Sequence, residues 1–333
     1  MKKIITLHII FLSWLFSLNA QTIKLLTSGT KTSLRGLSVV SNNIIWASGS
    51  NGTVAKSIDA GQTWKWITVK GFEKTDFRDI EAFDDKTAII MGIDSPAYIL
   101  KTIDAGETWK TVYQNNTKGM FLDAMDFKND RNGIIVGDPI NGKFFIARTN
   151  DGGNTWQEDA SDKLPIADSG EACFASSGTN IRLLNNKKFV LVSGGLLSHF
   201  FYNNMTMRLP ILQGKESTGA NSIAFKNNKM MIIVGGDFSS KDTIAKNCYI
   251  TKNAGKTWFA PVKSPSGYRS CIEYFYANIW LTCGLNGVDI SVDNGINFNQ
   301  ISKESFHVCS ASKRGKSLYL AGNYGKIAKL LTK

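Results

Sequence analysis

Seven short apolar runs each open on a polar residue. They read Leu34-Arg35-Gly36-Leu37, Phe77-Arg78-Asp79-Ile80, Leu122-Asp123-Ala124-Met125, Gly170-Glu171-Ala172-Cys173, Ala220-Asn221-Ser222-Ile223, Tyr268-Arg269-Ser270-Cys271 and Phe306-His307-Val308-Cys309. The chain holds eight arginines against 31 lysines, yet three of these seven positions are arginine and none is lysine. A guanidinium fork suits carboxylate, sulfate or phosphate in a way that a lysine point charge does not. Arg35, Arg78 and Arg269 are therefore the candidate anion-binding residues. Asp123 and Glu171 head consecutive runs, as an acid/base pair would need. Tyr268 and His307 could assist them, and these four form the catalytic set if the protein is an enzyme. Asn221, Asp94, Asp138, Asp237 and Tyr324 fall at or beside the same level and would rim a pocket, with His199 and Asn286 close by. The competing reading is that arginines and carboxylates pair with one another and hold the fold in register. Only His199 and His307 lie beyond the first twenty residues, so a His-rich zinc site is not expected. Calcium on Asp-rich turns stays open. No phosphate loop, nucleophile elbow or dinucleotide fingerprint occurs, and no cofactor is expected.

The elements that must position these residues show in two repeats. Seven apolar strands end in Gly49, Gly92, Gly137, Gly194, Gly235, Gly284 and Gly322, spaced 43, 45, 57, 41, 49 and 38 residues apart. That is the period of a four-stranded propeller blade. Ser57-Ile58-Asp59-Ala60-Gly61-Gln62-Thr63-Trp64 recurs as Thr102 to Trp109, Thr149 to Trp156 and Thr251 to Trp258, with a worn copy at Ser291 to Phe298. This is the Asp box, or BNR repeat. Its Asp accepts backbone N–H bonds within a tight turn, its Gly supplies the required φ, and its Trp packs between neighbouring sheets. The expected fold is all-β, a seven-bladed β-propeller; six or eight blades are the alternatives if blade four, near residues 171 to 212, is miscounted. Blade four lacks the box and has Tyr202-Asn203-Asn204 in its place. Blade seven runs out after three strands, and the segment from Thr22 to Leu26 is expected to supply its fourth and close the ring, removing exposed sheet edges. The Asp boxes then lie on one face. The seven polar residues lie on the other, around the axis, above an apolar layer of Leu37, Ile80, Met125, Cys173, Ile223, Cys271 and Cys309.

Residues 1–20 read as a signal peptide: a Met1-Lys2-Lys3 start, an apolar run from Ile4 to Leu18, and Asn19-Ala20 before the cut. An uncleaved anchor is the alternative. Cleavage after Ala20 would leave 21–333 as a single domain, secreted or periplasmic, without a membrane span and expected to be a monomer. The net charge of +12 suits an acidic partner, although scattered lysines also serve solubility alone. Export argues against nucleic acid. The cysteines are Cys173, Cys248, Cys271, Cys283 and Cys309, an odd number without a CxxC pair. Cys271 and Cys283 could face each other across a hairpin, as a disulfide or, the favoured reading, as small buried thiols.

The runs Trp46-Ala47-Ser48-Gly49, Asp76-Phe77-Arg78-Asp79, Phe121-Leu122-Asp123-Ala124, Gly137-Asp138-Pro139-Ile140-Asn141-Gly142, Gly170-Glu171-Ala172-Cys173-Phe174-Ala175-Ser176-Ser177-Gly178-Thr179, Gly235-Gly236-Asp237 and Gly267-Tyr268-Arg269-Ser270 resemble a bacterial family of YVTN/BNR-like propellers. Its members are labelled photosystem II stability/assembly factor-like, and some "oxidoreductase", a label these residues do not support. The resemblance implies a propeller that holds a protein subunit through an arginine patch, which Arg35, Arg78 and Arg269 match by type. More distantly the Asp boxes resemble those of sialidases, which bind a carboxylate with three arginines. Sialidases have six blades and an early arginine motif that neither Leu34-Arg35-Gly36 nor Met207-Arg208-Leu209-Pro210 matches. Three functions follow as expectations. The first is a binding module holding an anionic ligand, either an acidic glycan or an acidic protein segment. The second is a glycoside hydrolase or lyase acting on an acidic sugar. The third is an assembly factor with a protein partner.

Overall fold

Strands whose residues are apolar on both faces need a sheet packed on each side. Ile45–Gly49 and Ala88–Gly92 are buried along their whole length, and a ring of face-to-face sheets satisfies them. The computed structural model describes residues 21–93, 95–185, 188–202 and 205–332, so the expected signal peptide at 1–20, Asp94 and the expected Asn203-Asn204 turn lie outside the described residues. Seven sheets surround one axis. Their innermost strands are Leu34–Val39, Phe77–Ala82, Leu122–Phe127, Ile181–Leu183, Thr218–Phe225, Cys271–Tyr276 and Val308–Ala311. Each touches the next around the ring, and Val308–Ala311 touches Leu34–Val39. Within every blade neighbouring strands pair antiparallel, stepping outward from the axis.

The expected closure is present. Thr22–Thr27 pairs antiparallel with Ile327–Leu331, Thr22 opposite Leu331, and becomes the outermost strand of blade seven. Among the described residues no helix is long and apolar enough to cross a membrane.

The repeated turns join third and fourth strands and also weld blades. In blade two Asp104 Oδ1 accepts from Thr108 N at 2.9 Å and from Thr102 Oγ1 at 2.8 Å, and Gly106 N donates to Thr102 Oγ1 at 3.0 Å. Gly106 has φ +84, and a Cβ there would press on Ile67 and Trp46 of blade one. Gly153, Gly255 and Gly295 abut Ile89, Phe200 and Ile232 of their preceding blades in the same way. Glycine is needed twice at these turns, for its dihedral and for the close approach.

Blade four departs from the expected layout. Its innermost strand is Ile181–Leu183, so Glu171 does not open it. Glu171–Ala172 instead pairs with Gly194–Gly195, which pairs with the start of Thr218–Phe225, tying blade four's outlet into the sheet of blade five. The long interval between Gly137 and Gly194 holds this extra strand and a crossing segment. All five cysteines are free and buried, and Cys271 and Cys283 are cross-strand partners.

Candidate functional site

Four of the seven polar residues sit in β-bulges. The pairing register slips between Leu34 and Gly36, Phe77 and Asp79, Leu122 and Ala124, and Ala220 and Ser222. The extra residues are Arg35, Arg78, Asp123 and Asn221. A bulge leaves one residue outside the ladder and re-aims its side chain, here at the mouth of the axial channel.

That mouth is filled by the chain itself. Residues 173–178 run across it and meet five other blades. Cys173 N donates to Asp138 Oδ1 at 2.9 Å. The Ala175 carbonyl accepts from Arg78 Nη1 and the Ser176 carbonyl from Arg35 Nη1, both at 3.4 Å. Ser176 Oγ donates to Asn221 Oδ1 at 3.0 Å, and Ser177 Oγ to the Ser270 carbonyl at 2.8 Å. The expected open polar ring is therefore roofed, and the two arginines hold main-chain carbonyls rather than carboxylates across the axis.

Arg35 has no carboxylate within 4 Å among the described residues, whereas Arg78 pairs with Asp76 at 2.8 Å. Burial first, then the nearby Arg78 charge, pull the Arg35 pKa below its usual value. His307 is 2 % exposed. Burial, then the charge of Arg35, lower its pKa to about 4, against the favourable bond of Nε2 to Asn323 Oδ1 at 2.9 Å. The patch is cationic and short of anions.

Asp123 is 0 % exposed and neither carboxyl oxygen has a well-formed hydrogen bond. Burial, then the neighbouring Asp138, hold its pKa well above the carboxylate range. Burial also raises Asp138. Tyr268, buried, donates to Asn221 Oδ1 at 2.7 Å. It ends a row of edge-on aromatic contacts, Phe174 to Phe238 at 5.8 Å and Phe238 to Tyr268 at 6.2 Å, and Phe238 is 42 % exposed.

The remaining expected residues are not brought into this group. Arg269 is 0 % exposed and forms a buried ion pair with Asp289, with Nε to Oδ2 at 2.7 Å and further bonds from Nη1 to the Tyr268 carbonyl and Asn286. It braces blade six and is not open to a ligand. Glu171 is buried against Ser193 and His199. Asp237 caps the short helix Phe238–Ser240 through Ser239 N at 2.9 Å. Tyr324 is 69 % exposed and borders a separate cavity of about 560 Å³ with Leu25 and Phe306.

Sequence reasoning missed the other end of the axis. Beneath residues 177–179, a cavity of about 270 Å³ opens on the face of the repeated turns. Asp79, Glu81, Asp126 and Glu273 line it with Arg182 and Lys313. Arg182 reaches Asp126 at 3.3 Å and Glu273 at 3.7 Å, and Lys313 reaches Glu81 at 2.6 Å. Burial raises Glu273 to about 7 despite Arg182. The available signal was the third residue after a bulge, since Ser38, Glu81 and Asp126 follow Arg35, Arg78 and Asp123 by three.

No family model matches the chain, and no curated protein matches it. Solved structures do. YCF48 bound to a D1 peptide superposes with a TM-score of 0.67 at 16% identity, covering 95% of this chain and 96% of that one. YCF48 from Cyanidioschyzon merolae gives 0.63 at 15%, covering 92% and 98%. The WD40 β-propeller domain of Doa1 gives 0.61 at 10%, covering 94% and 98%. At these identities the likeness establishes the propeller fold.

Proposed function

We propose that this protein is an exported, monomeric, non-catalytic binding module, an assembly or stability factor whose axial face holds an extended acidic segment of a partner protein. The observation that carries this reading is Arg35. Among the described residues its guanidinium, at a bulge beside Arg78, has no carboxylate within 4 Å and makes one long bond to a main-chain carbonyl. Two adjacent, partly desolvated cations favour an anion between them. The segment 173–178 already lies against both arginines, so the mouth accommodates polypeptide. The row from Phe174 to Tyr268 offers an apolar shelf beside the charge. A structural neighbour is YCF48 bound to a D1 peptide, which supports a protein segment over a glycan.

The hydrolase or lyase reading finds less support. Asp123 is sealed from solvent and Glu171 is committed to His199, so the two do not flank an open pocket.

Isothermal titration of a panel of acidic and neutral extended peptides, with sialic and uronic acids alongside, tests the proposal. Acidic peptides should bind, and Arg35→Ala and Arg78→Ala should each weaken binding at least about tenfold. Binding of a sugar acid alone, or peptide binding indifferent to both substitutions, would overturn it.

A further inference from the structure

Glu171 and His199 were expected at the axial site, yet the structure places them together elsewhere. They lie on the rim between blades three and four, where a depression of about 600 Å³ is lined by Asp138, Asp168 and Glu171. His199 begins the strand His199–Tyr202, and the turn carrying Asp168 and Glu171 folds against it. The Glu171 side chain is fully buried. Its Oε1 faces His199 Nδ1 at 3.0 Å and accepts from Ser193 Oγ, and its Oε2 accepts from Asp168 N at 2.9 Å.

This is the arrangement by which a carboxylate orients a metal-binding imidazole. A proton on Nδ1, assigned from its contact with Glu171, leaves the Nε2 lone pair facing Asp168 Oδ2. That gap is 3.8 Å, too long for a hydrogen bond. Two donors about 2.0–2.2 Å from one tetrahedral ion stand roughly 3.5 Å apart, so a small inward shift seats a cation between them. One donor atom from each of Asp168, Glu171 and His199 lies within 4.8 Å of the others. The histidine is what distinguishes the cluster from a patch of surface acid: an imidazole with carboxylates favours zinc over calcium or magnesium, which prefer all-oxygen sets.

We infer that Asp168, Glu171 and His199 form a zinc site, with His199 Nε2 and Asp168 as direct ligands and Glu171 orienting the imidazole. Asp168 is 58 % exposed, so the remaining coordination positions face solvent and the rim depression. An ion there would tie the turn before residues 173–178 to blade four. The inference stands apart from the ligand reading of the axial face.

Equilibrium dialysis of the purified protein against zinc(II), with bound metal counted by mass spectrometry, tests it. Cobalt(II) serves as a second probe, read by its visible d–d absorption. One equivalent of zinc should bind, and millimolar calcium or magnesium should not displace it. Asp168→Asn and His199→Ala should each weaken binding at least tenfold while circular dichroism stays unchanged. If His199→Ala fails to fold, Asp168→Asn, at an exposed position, carries the comparison. Absence of bound zinc, or equal affinity in the wild type and the folded variants, would overturn the inference.

Discussion

The Arg35 guanidinium meets the carbonyl of Ser176, 141 residues further along the chain, at 3.4 Å. Arg78 meets the adjacent carbonyl of Ala175 at the same distance. Both bonds are at the long limit for N–H···O geometry, so the arginines contribute little to holding residues 173–178 in place.

Arg35→Met should therefore leave thermal stability unchanged or raise it, because it removes a partly desolvated cation beside another cation. The same variant should lose acidic-peptide binding. A calorimetric loss above about 1 kcal/mol would mean that the Ser176 contact is structural after all.

Arg269 and Asp289 predict the opposite pattern. Both side chains are 0 % exposed. Asp289→Ala strands a buried guanidinium and should cost about 3–5 kcal/mol in urea denaturation, while peptide affinity of the folded fraction stays at the wild-type level. A mild loss of stability with loss of binding would return Arg269 to the ligand site.

The turn at Asp151 separates charge from geometry. Asp151 accepts from Thr155 N at 3.0 Å and Thr155 Oγ1 at 2.7 Å, and these bonds help lower its pKa to about 2. Asn253 occupies the same place in blade five, accepting from Thr257 N at 2.9 Å and donating to Thr257 Oγ1 at 2.8 Å. Asp151→Asn should thus change stability by less than about 0.5 kcal/mol, and Asp151→Ala should cost about 1 kcal/mol. Chemical denaturation of the two variants side by side measures the difference.

His307 predicts a pH dependence. Its folded pKa of about 4 lies below the ordinary value of 6.5, so the unfolded chain binds the proton more readily. Its contribution is complete above pH 6.5 and declines as pH falls towards 4, by up to about 3 kcal/mol. Arg35 and Arg78 face the ring and oppose its protonation, while Asn323 favours it. His307→Gln should flatten this slope in urea melts between pH 4.5 and 7; an unchanged slope would assign it to other groups.

The architecture was legible because it repeats. The glycine-ended strands and the turn motif each recur with a blade's period, and the spare segment from Thr22 fitted the strand missing from blade seven. What could not be read was long-range. Gly170-Glu171-Ala172-Cys173 has the look of a bulged inner strand, but the true one begins ten residues later at Ile181, and the intervening residues cross the axis. No local pattern marks a segment whose partners lie on five other blades. Asp289 sits on a strand buried at every residue, and nothing nearby in sequence announces that it would claim Arg269 from the axial group. Arg35 and Arg78 were recognisable because a bulge recurs at the same step in four of the seven blades. Glu171 and His199 were each noticed, but their meeting depends on a turn and a strand that share no periodicity.

The pairing of Thr22 with Leu331 also governs the order in which the molecule can form. Thr22–Thr27 precedes every other described strand of the ring and Ile327–Leu331 follows every other one. The core strands of every other blade are neighbours in sequence, but this blade waits for two distant segments to find each other. It is the contact of highest sequence separation and should form late in folding. Until it does, the incomplete blade offers a bare backbone edge to any neighbouring chain.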